Sequence, residues 1–442
     1  MPDRVRVAVA LAVVGIPLLT LGIGAVAVTT APSPAPDGTA AGDAEPAVAT
    51  NEGEFKRLHR VGTTGSNVSI GVVDVAGFDL DSRALSGHIR ETRAFGRGGV
   101  RGGTNSHGTA TATVLARTAP DADLYLTRVG GVDSYRRAVE WLTRRDVDVI
   151  VAPVSFYGQP GDGTGPVARA AERATEDGTL VVAPAGNLAD AHWQGTYDRT
   201  AVDDGVLQFD GESRRNRLRG GTRVTMWLSW ERAHADEDYT LELYSENGSS
   251  PRLVARSQPY RADDVPNERI VADVSPGEYF VVVRGPPDPT GARLRVVSPT
   301  HELQHSTPRG SLVAPATAHG VLAVGAYNSR VDRVEPFSSR GPTADGRTGL
   351  DVVAPDRRFA AVSDRGFVGS SAAVPYVGGT AALVLGADDS LSPRHVELLL
   401  ELTSEDVAAT GVDYATGHGE VDPVAAVRAA DNRTAADGGE TG

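Results

Sequence analysis

The sequence predicts an α/β fold: a doubly wound parallel sheet interrupted by an antiparallel β-sandwich. Two observations carry that expectation. Up to about residue 190, and again after about residue 305, strongly apolar strand-like runs alternate with stretches of helical spacing. Between them the helical spacing disappears, and short alternating runs separated by turn residues take its place.

The elements follow in order. After a short helical stretch at Glu54–Arg60, Val68–Val73 and Asp123–Val129 read as strands. Ser134–Arg144 places Tyr135, Ala138, Val139 and Leu142 on one helical face. Val147–Val154 is mostly β-branched, as befits a parallel strand buried on both sides. Pro166 precedes a helix at Val167–Glu176, where a helix start tolerates it, and Thr179–Ala183 is a further buried strand. The middle region supplies runs at Gly205–Phe209, Arg223–Trp230, Tyr239–Tyr244, Leu253–Ser257, Ile270–Val274, Tyr279–Val283 and Leu294–Val297. Strand character of the first kind resumes at Val321–Ala326, and helices are expected at Ser371–Leu385, Pro393–Thr403 and Pro423–Ala430. Residues 53–190 and 305–430 are thus expected to form one α/β unit, with 191–304 inserted into it.

The flanks read differently. Asp3, Arg4 and Arg6 precede an apolar run from Val7 to about Val28, long enough to span a bilayer. Residues 1–30 are either a signal peptide, with Ala25-Val26-Ala27 as the cleavage region, or a retained anchor. Both outcomes place the remainder outside the membrane, secreted or held at its outer face. Residues 31–52 are a Pro/Ala/Gly/acidic linker and 431–442 a polar tail.

Charge and composition exclude several classes. Acidic residues outnumber basic ones 57 to 43, a net charge of −14, which argues against a nucleic-acid partner. Lys56 is the one lysine in the chain, and an acidic surface poor in lysine suits concentrated salt and a halophilic source, the alternative being the codon bias of a GC-rich genome. With no cysteine, disulfides, cysteine-ligated zinc and thiol catalysis are ruled out.

Four separated segments carry candidate chemistry. Ile70-Gly71-Val72-Val73-Asp74 is an apolar strand ending in a carboxylate, and the carboxyl ends of parallel strands are where sites are built. Ser106-His107-Gly108-Thr109 opens a helical stretch of small residues ending near Arg117. Val181 to Asn187 is a buried strand running into a side-chain amide able to donate to an oxyanion. Gly369-Ser370-Ser371-Ala372-Ala373-Val374-Pro375 opens an apolar helix, which sets a serine beside free N–H groups and a positive dipole end. Taken singly, each is explained as well by a turn or a helix cap.

Together, Asp, His, Asn and Ser in this order resemble the subtilisin-like serine proteases. The 33-residue step from Asp74 to His107 and the Gly369-Ser370-Ser371-Ala372 signature, with Ser370 in the usual threonine position, carry the resemblance. Phe337-Ser338-Ser339-Arg340-Gly341-Pro342 and Asp351-Val352-Val353-Ala354-Pro355 add to it. The resemblance implies Ser371 as nucleophile, His107 as general base and then acid, and Asp74 as its orienting carboxylate. It implies Asn187 and the Ser371 N–H as oxyanion donors, and Ser155, Phe156, Tyr157 and Gly158 as the edge that binds substrate backbone. The sequence departs from the family in having Val75-Ala76 after Asp74, and Ala110 to Thr113 in place of a His-Val-Ala-Gly continuation. The linker is also too short for a folded pro-domain.

The expected activity is extracytoplasmic endopeptidase chemistry on protein or peptide substrates, by a monomer that needs no cofactor for the reaction. The alternative is a catalytically silent scaffold whose β-domain binds a partner. The family commonly holds calcium, but no ligand set matches here. Asp236-Glu237-Asp238 is either an oxygen-ligand site or a solvated loop.

Overall fold

The computed structural model describes residues 53–438 other than 104–105, 247–249, 262, 360–361 and 364–365. The expected leader at 1–30 and linker at 31–52 lie outside the described residues, as does the end of the tail.

The first half of the chain alternates strand and helix. Its strands are β1 (Ser69–Asp74), β2 (Ile89–Ala94), β3 (Asp123–Arg128), β4 (Val149–Val151) and β5 (Leu180–Pro184). Its helices are α1 (Gly53–Arg60), α2 (His107–Thr118), α3 (Val132–Thr143) and α4 (Pro166–Glu176). Twelve short strands follow among the described residues, from β6 (His192–Thr196) to β17 (His301–Leu303). The chain closes with β18 (Val321–Asn328), β19 (Arg333–Val334), β20 (Val352–Pro355), α5 (Ser370–Ala387), α6 (Pro393–Thr403) and α7 (Pro423–Gly438).

The large sheet has the order β19-β18-β5-β4-β1-β3-β2, with β20 also on β18, and every pairing but β18–β19 is parallel. Side chains leave each central strand alternately. Ile70 and Val72, Val149 and Val151, and Leu180 and Val182 pack with α2 and α5 in one core. Val73, Ile150, Val181 and Ala183 pack with α3 and α4 in the other. Burial on both faces is why these strands are uninterrupted apolar runs. β4 is shorter than the sequence implied. Pro153 has no N–H to continue the ladder, and Val154 turns its own N–H to the Ala152 carbonyl at 2.7 Å.

β2 went unrecognised in the sequence because IRETRA is a half-exposed edge strand with charges at Arg90, Glu91 and Arg93. α7 runs on past Ala430, where the sequence reading stopped it. α5 is long and apolar enough to cross a bilayer, yet 89% of it is buried within the protein. Its apolarity is that of a core helix.

β5 and β18 are neighbours in the large sheet although β6 to β17 lie between them in the chain. Those twelve strands build two antiparallel sheets around a separate core that includes Met226, Leu228, Leu241, Leu243, Ile270 and Val281. Trp227 and Tyr239 are buried, and Trp230 and Tyr244 half-buried, so these four aromatics are largely packing residues.

The two units meet in a small apolar cluster of Tyr157, Leu188, Ala191, Trp227, Val297 and Val313. A buried polar link accompanies it. Arg295 donates to His192 Nε2 at 3.2 Å and to the Leu312 carbonyl at 3.0 Å, while His192 Nδ1 donates to the Thr307 carbonyl at 2.6 Å. Burial, reinforced by the Arg295 charge, pushes His192 down to about 3. The imidazole is therefore neutral and free to accept from the guanidinium.

Candidate active site

β1 delivers Asp74 to the carboxyl edge of the sheet, fully buried. Its Oδ1 accepts the Ala76 N–H at 2.7 Å, so Val75-Ala76 still supplies the backbone donor that fixes the carboxylate. Its other oxygen, Oδ2, meets His107 Nδ1 at 2.6 Å.

His107 is the first residue of α2. Ser106 caps that helix, accepting the Thr109 N–H at 3.3 Å and donating to the Gly77 carbonyl at 2.7 Å. A Cβ at Gly108 would come within 2.5 Å of the Gly77 oxygen and 3.1 Å of Asp74 Cγ. The small residue after the histidine is therefore what lets the helix start reach the carboxylate. Phe367 packs edge-on against the imidazole at 5.2 Å. His107 Nε2 is buried and has no hydrogen-bond partner among the described residues.

Ser371 is the second residue of α5, which packs alongside α2 so closely that a Cβ at Gly379 would lie 1.9 Å from Thr118 Oγ1. The helix start is anchored residue by residue. Gly369, at φ +108°, donates its N–H to Asp356 Oδ2 at 3.1 Å. Ser370 donates both N–H and hydroxyl to Asn187 Oδ1, at 3.0 and 2.9 Å. With its carbonyl end so held, Asn187 presents its amide end as the donor. The Ser371 N–H, by contrast, is bonded to nothing among the described residues. Pro375, four residues on, removes the N–H that would otherwise bond the Ser371 carbonyl. The Ser371 hydroxyl is turned to the Pro153 carbonyl at 3.4 Å rather than to His107.

Asn187 is bracketed from a further segment. Ser339 donates its N–H to the Gly186 carbonyl at 2.9 Å and accepts the Leu188 N–H on its hydroxyl at 3.0 Å. The Phe337-Ser338-Ser339 segment thus holds the turn on both sides of the amide.

Four side chains singled out in the sequence therefore fall at one edge of the sheet, linked in two pairs: Asp74 with His107, and Asn187 with the turn that carries Ser371. The expected substrate edge follows closely on Pro153 in the chain. Ser155 is buried, the Phe156 N–H bonds the Ala314 carbonyl at 2.9 Å, and Tyr157 packs into the cluster around Trp227. The Gly158 carbonyl accepts from Asn267 Nδ2 at 2.9 Å. The Phe156 N–H and the Gly158 carbonyl are thus bonded within the protein, and the carbonyl that faces the Ser371 hydroxyl is that of Pro153, two residues before Ser155. No sequence signal marked Pro153, because a backbone carbonyl has no residue type. Asp356 also went unremarked. It is fully buried, and desolvation, with Glu335 near, pushes it up to about 7.

For metals, Asp351, Glu397 and Glu401 bring carboxylate oxygens within 4.8 Å of one another. Arg394 lies 2.6 Å from Glu397 and 3.9 Å from Glu401, a counter-charge for part of the group. In the Asp236-Glu237-Asp238 run, Glu237 accepts from His234 Nδ1 at 2.8 Å and from the Tyr239 hydroxyl.

A buried Asp–His pair, a helix-opening serine and a fixed amide, all at the carboxyl edge of a doubly wound sheet, resemble the arrangement of a subtilisin-like serine-hydrolase site. A model of the subtilase family of peptidases matches residues 291–419, a span that includes Ser371. Subtilisin DY of Bacillus licheniformis is 28% identical over 175 residues, covering 36% of this chain and 62% of its own. A cell wall-associated protease of Bacillus subtilis (strain 168) is 29% identical over 148 residues, covering 27% of this chain and 16% of its own. The chain thus spans less than two thirds of the length of these relatives. The fold is shared with the Clostridium perfringens CspB protease, with a TM-score of 0.64 at 17% identity, over 88% of this chain and all of that one.

Proposed function

We propose that the protein is an extracytoplasmic serine endopeptidase acting on protein or peptide substrates. The observation that carries the reading is the 2.6 Å Asp74–His107 pair, whose remaining ring nitrogen is buried and unpartnered at the edge where Ser371 opens α5. A serine hydroxyl is a poor nucleophile at neutral pH and needs a base to take its proton. His107 Nε2 is that base, and Asp74 holds the Nδ1–H tautomer and stabilises the imidazolium that forms. Rotation of the Ser371 side chain away from Pro153 brings its hydroxyl to the imidazole as substrate binds, since such contacts tighten in the substrate complex. The tetrahedral oxyanion is met by the Asn187 amide and the open Ser371 N–H, both fixed before the reaction starts. Collapse of that intermediate expels the amine, protonated by His107, and leaves an acyl group on Ser371. Water, deprotonated by the same imidazole, then releases it.

The apolar leader and acidic, lysine-poor composition support a location outside the cytoplasm in a saline medium.

The test is turnover of a mixed peptide pool by purified chain, with Ser371→Ala alongside. Turnover is expected to fall by ~10⁴–10⁶ in the variant, with the circular-dichroism spectrum unchanged. Equal turnover by the two proteins refutes the nucleophile. No turnover and no fluorophosphonate labelling of Ser371 in the folded parent refutes the enzymatic reading.

A further inference from the structure

On the face of the large sheet opposite α2 and α5, a cavity of about 370 Å³ opens where α3 and α4 meet the antiparallel unit. Five guanidinium side chains line it: Arg136 from α3, Arg169 and Arg173 from α4, and Arg232 and Arg261 from the antiparallel unit. In a chain of net charge −14 such a concentration of positive charge needs a reason. Three carboxylates, Asp133, Asp263 and Asp264, share the lining. They do not neutralise the arginines. Asp133 takes Arg136 at 3.4 Å, but Asp263 is tied to amides, those of Gln159 and of Asn267, the latter at 3.2 Å. Arg232 bonds the Asp264 carbonyl rather than its carboxylate. Arg169, Arg173 and Arg261 make no ion pair among the described residues.

The backbone adds to this field. Val132 and Pro166, the first residues of α3 and α4, both border the cavity, so two positive dipole ends lie beside it. Unpaired guanidinium forks, converging from two helices and a separate β unit, match the oxygens of a phosphate two at a time. Burial pushes Asp263 up to about 6, so on acidification this carboxyl becomes neutral and the positive excess grows.

We propose that this cavity binds a multivalent oxyanion of the phosphate class, held between the α3–α4 helix starts and the antiparallel unit. The ligand would brace the two units against each other at a place remote in sequence from Asp74, His107 and Ser371. The inference does not depend on peptidase activity.

The test is calorimetric titration of the full chain with inorganic pyrophosphate, repeated with inorganic phosphate and with sodium chloride at matched ionic strength. One-site binding of pyrophosphate is expected, tighter than phosphate, accompanied by a rise in Tm. Arg169 and Arg173 are exposed on α4, and the double variant Arg169→Ala/Arg173→Ala is expected to keep the parent spectrum while losing affinity at least tenfold. Retained affinity in that variant overturns the assignment, as does a response to pyrophosphate no larger than that to matched chloride. Should the double variant misfold, Arg261→Gln, on the other side of the cavity, must show the same loss. Unchanged affinity there overturns the proposal equally.

Discussion

Helices α2 and α5 on one face of the large sheet and α3 and α4 on the other begin at the same carboxyl edge, yet the two pairs use their starts in opposite ways. The α2–α5 pair is closed and dry: Gly108 lets α2 approach Asp74, Gly379 lets α5 lie on Thr118, and almost every residue of α5 up to Val384 is buried. The α3–α4 pair turns its starts toward a charged, open cavity. A free helix start stabilises negative charge in either setting, but its effect is far larger where water is excluded. The dry pair suits a transient oxyanion and the wet pair a stable one.

The comparison is broken most severely at the dry start. Asn187→Ala removes one proposed oxyanion donor and also the acceptor that anchors the Ser370 N–H and hydroxyl. Peptidase kcat is expected to drop by ~10²–10³, with KM changed far less, because the donor acts on charge that develops only in the transition state. A loss confined to KM would place Asn187 in ground-state binding instead.

Next in size is the close approach of the helices themselves. Gly379→Ala drives a methyl group into Thr118, and neither backbone can yield without moving His107 or Ser371 relative to the other. Overpacking of this kind costs ~1–3 kcal/mol, which a thermal melt will register as several degrees. The same methyl at Gly87, where nothing lies within 4 Å, is the control for crowding, although its φ of +85° adds backbone strain of its own. If Gly379→Ala melts with the parent, the tight contact between α2 and α5 is not needed to hold the site.

These contrasts explain what could be read in the sequence. Asp74, Asn187 and Ser371 stand where an apolar strand ends or an apolar helix begins, and such boundaries are visible in residue types. The alternation of burial across β1, β4 and β5 likewise follows from their continuous apolar character. What escaped was relational. The Pro153 carbonyl beside Ser371 has no residue-type signal, and the packing of Tyr157 on Trp227 joins positions seventy residues apart. The charged cavity escaped for the same reason: Arg136, Arg169 and Arg261 are ordinary surface arginines until three elements bring them together. Within the antiparallel unit β10 (Arg223–Trp230) was legible to the residue, since its burial is nearly continuous, whereas β9 (Asn216–Gly220) is charged and largely exposed.

The smallest expected effect tests how dry the α5 start is. Asp356 holds the Gly369 N–H two residues before Ser371, and burial pushes its carboxyl up to about 7. In the unfolded chain the same group ionises near ~4. Between those values the folded state binds more protons than the unfolded one, so stability falls as pH rises from about 4 to about 7. Above that window the cost of a buried carboxylate is present in full. Asp356→Asn keeps an acceptor for Gly369 and removes the titration. It is expected to melt with the parent near pH 4 and a few degrees above it at pH 8, in a series of thermal melts across pH. Asp356→Ala provides the contrast, since it strands a buried N–H at every pH, at ~1–3 kcal/mol, and lowers Tm throughout. A parent and Asn variant that stay parallel from pH 4 to 8 would mean that the carboxyl is solvated and that water reaches the turn that carries Ser371, which removes the distinction between the two helix pairs.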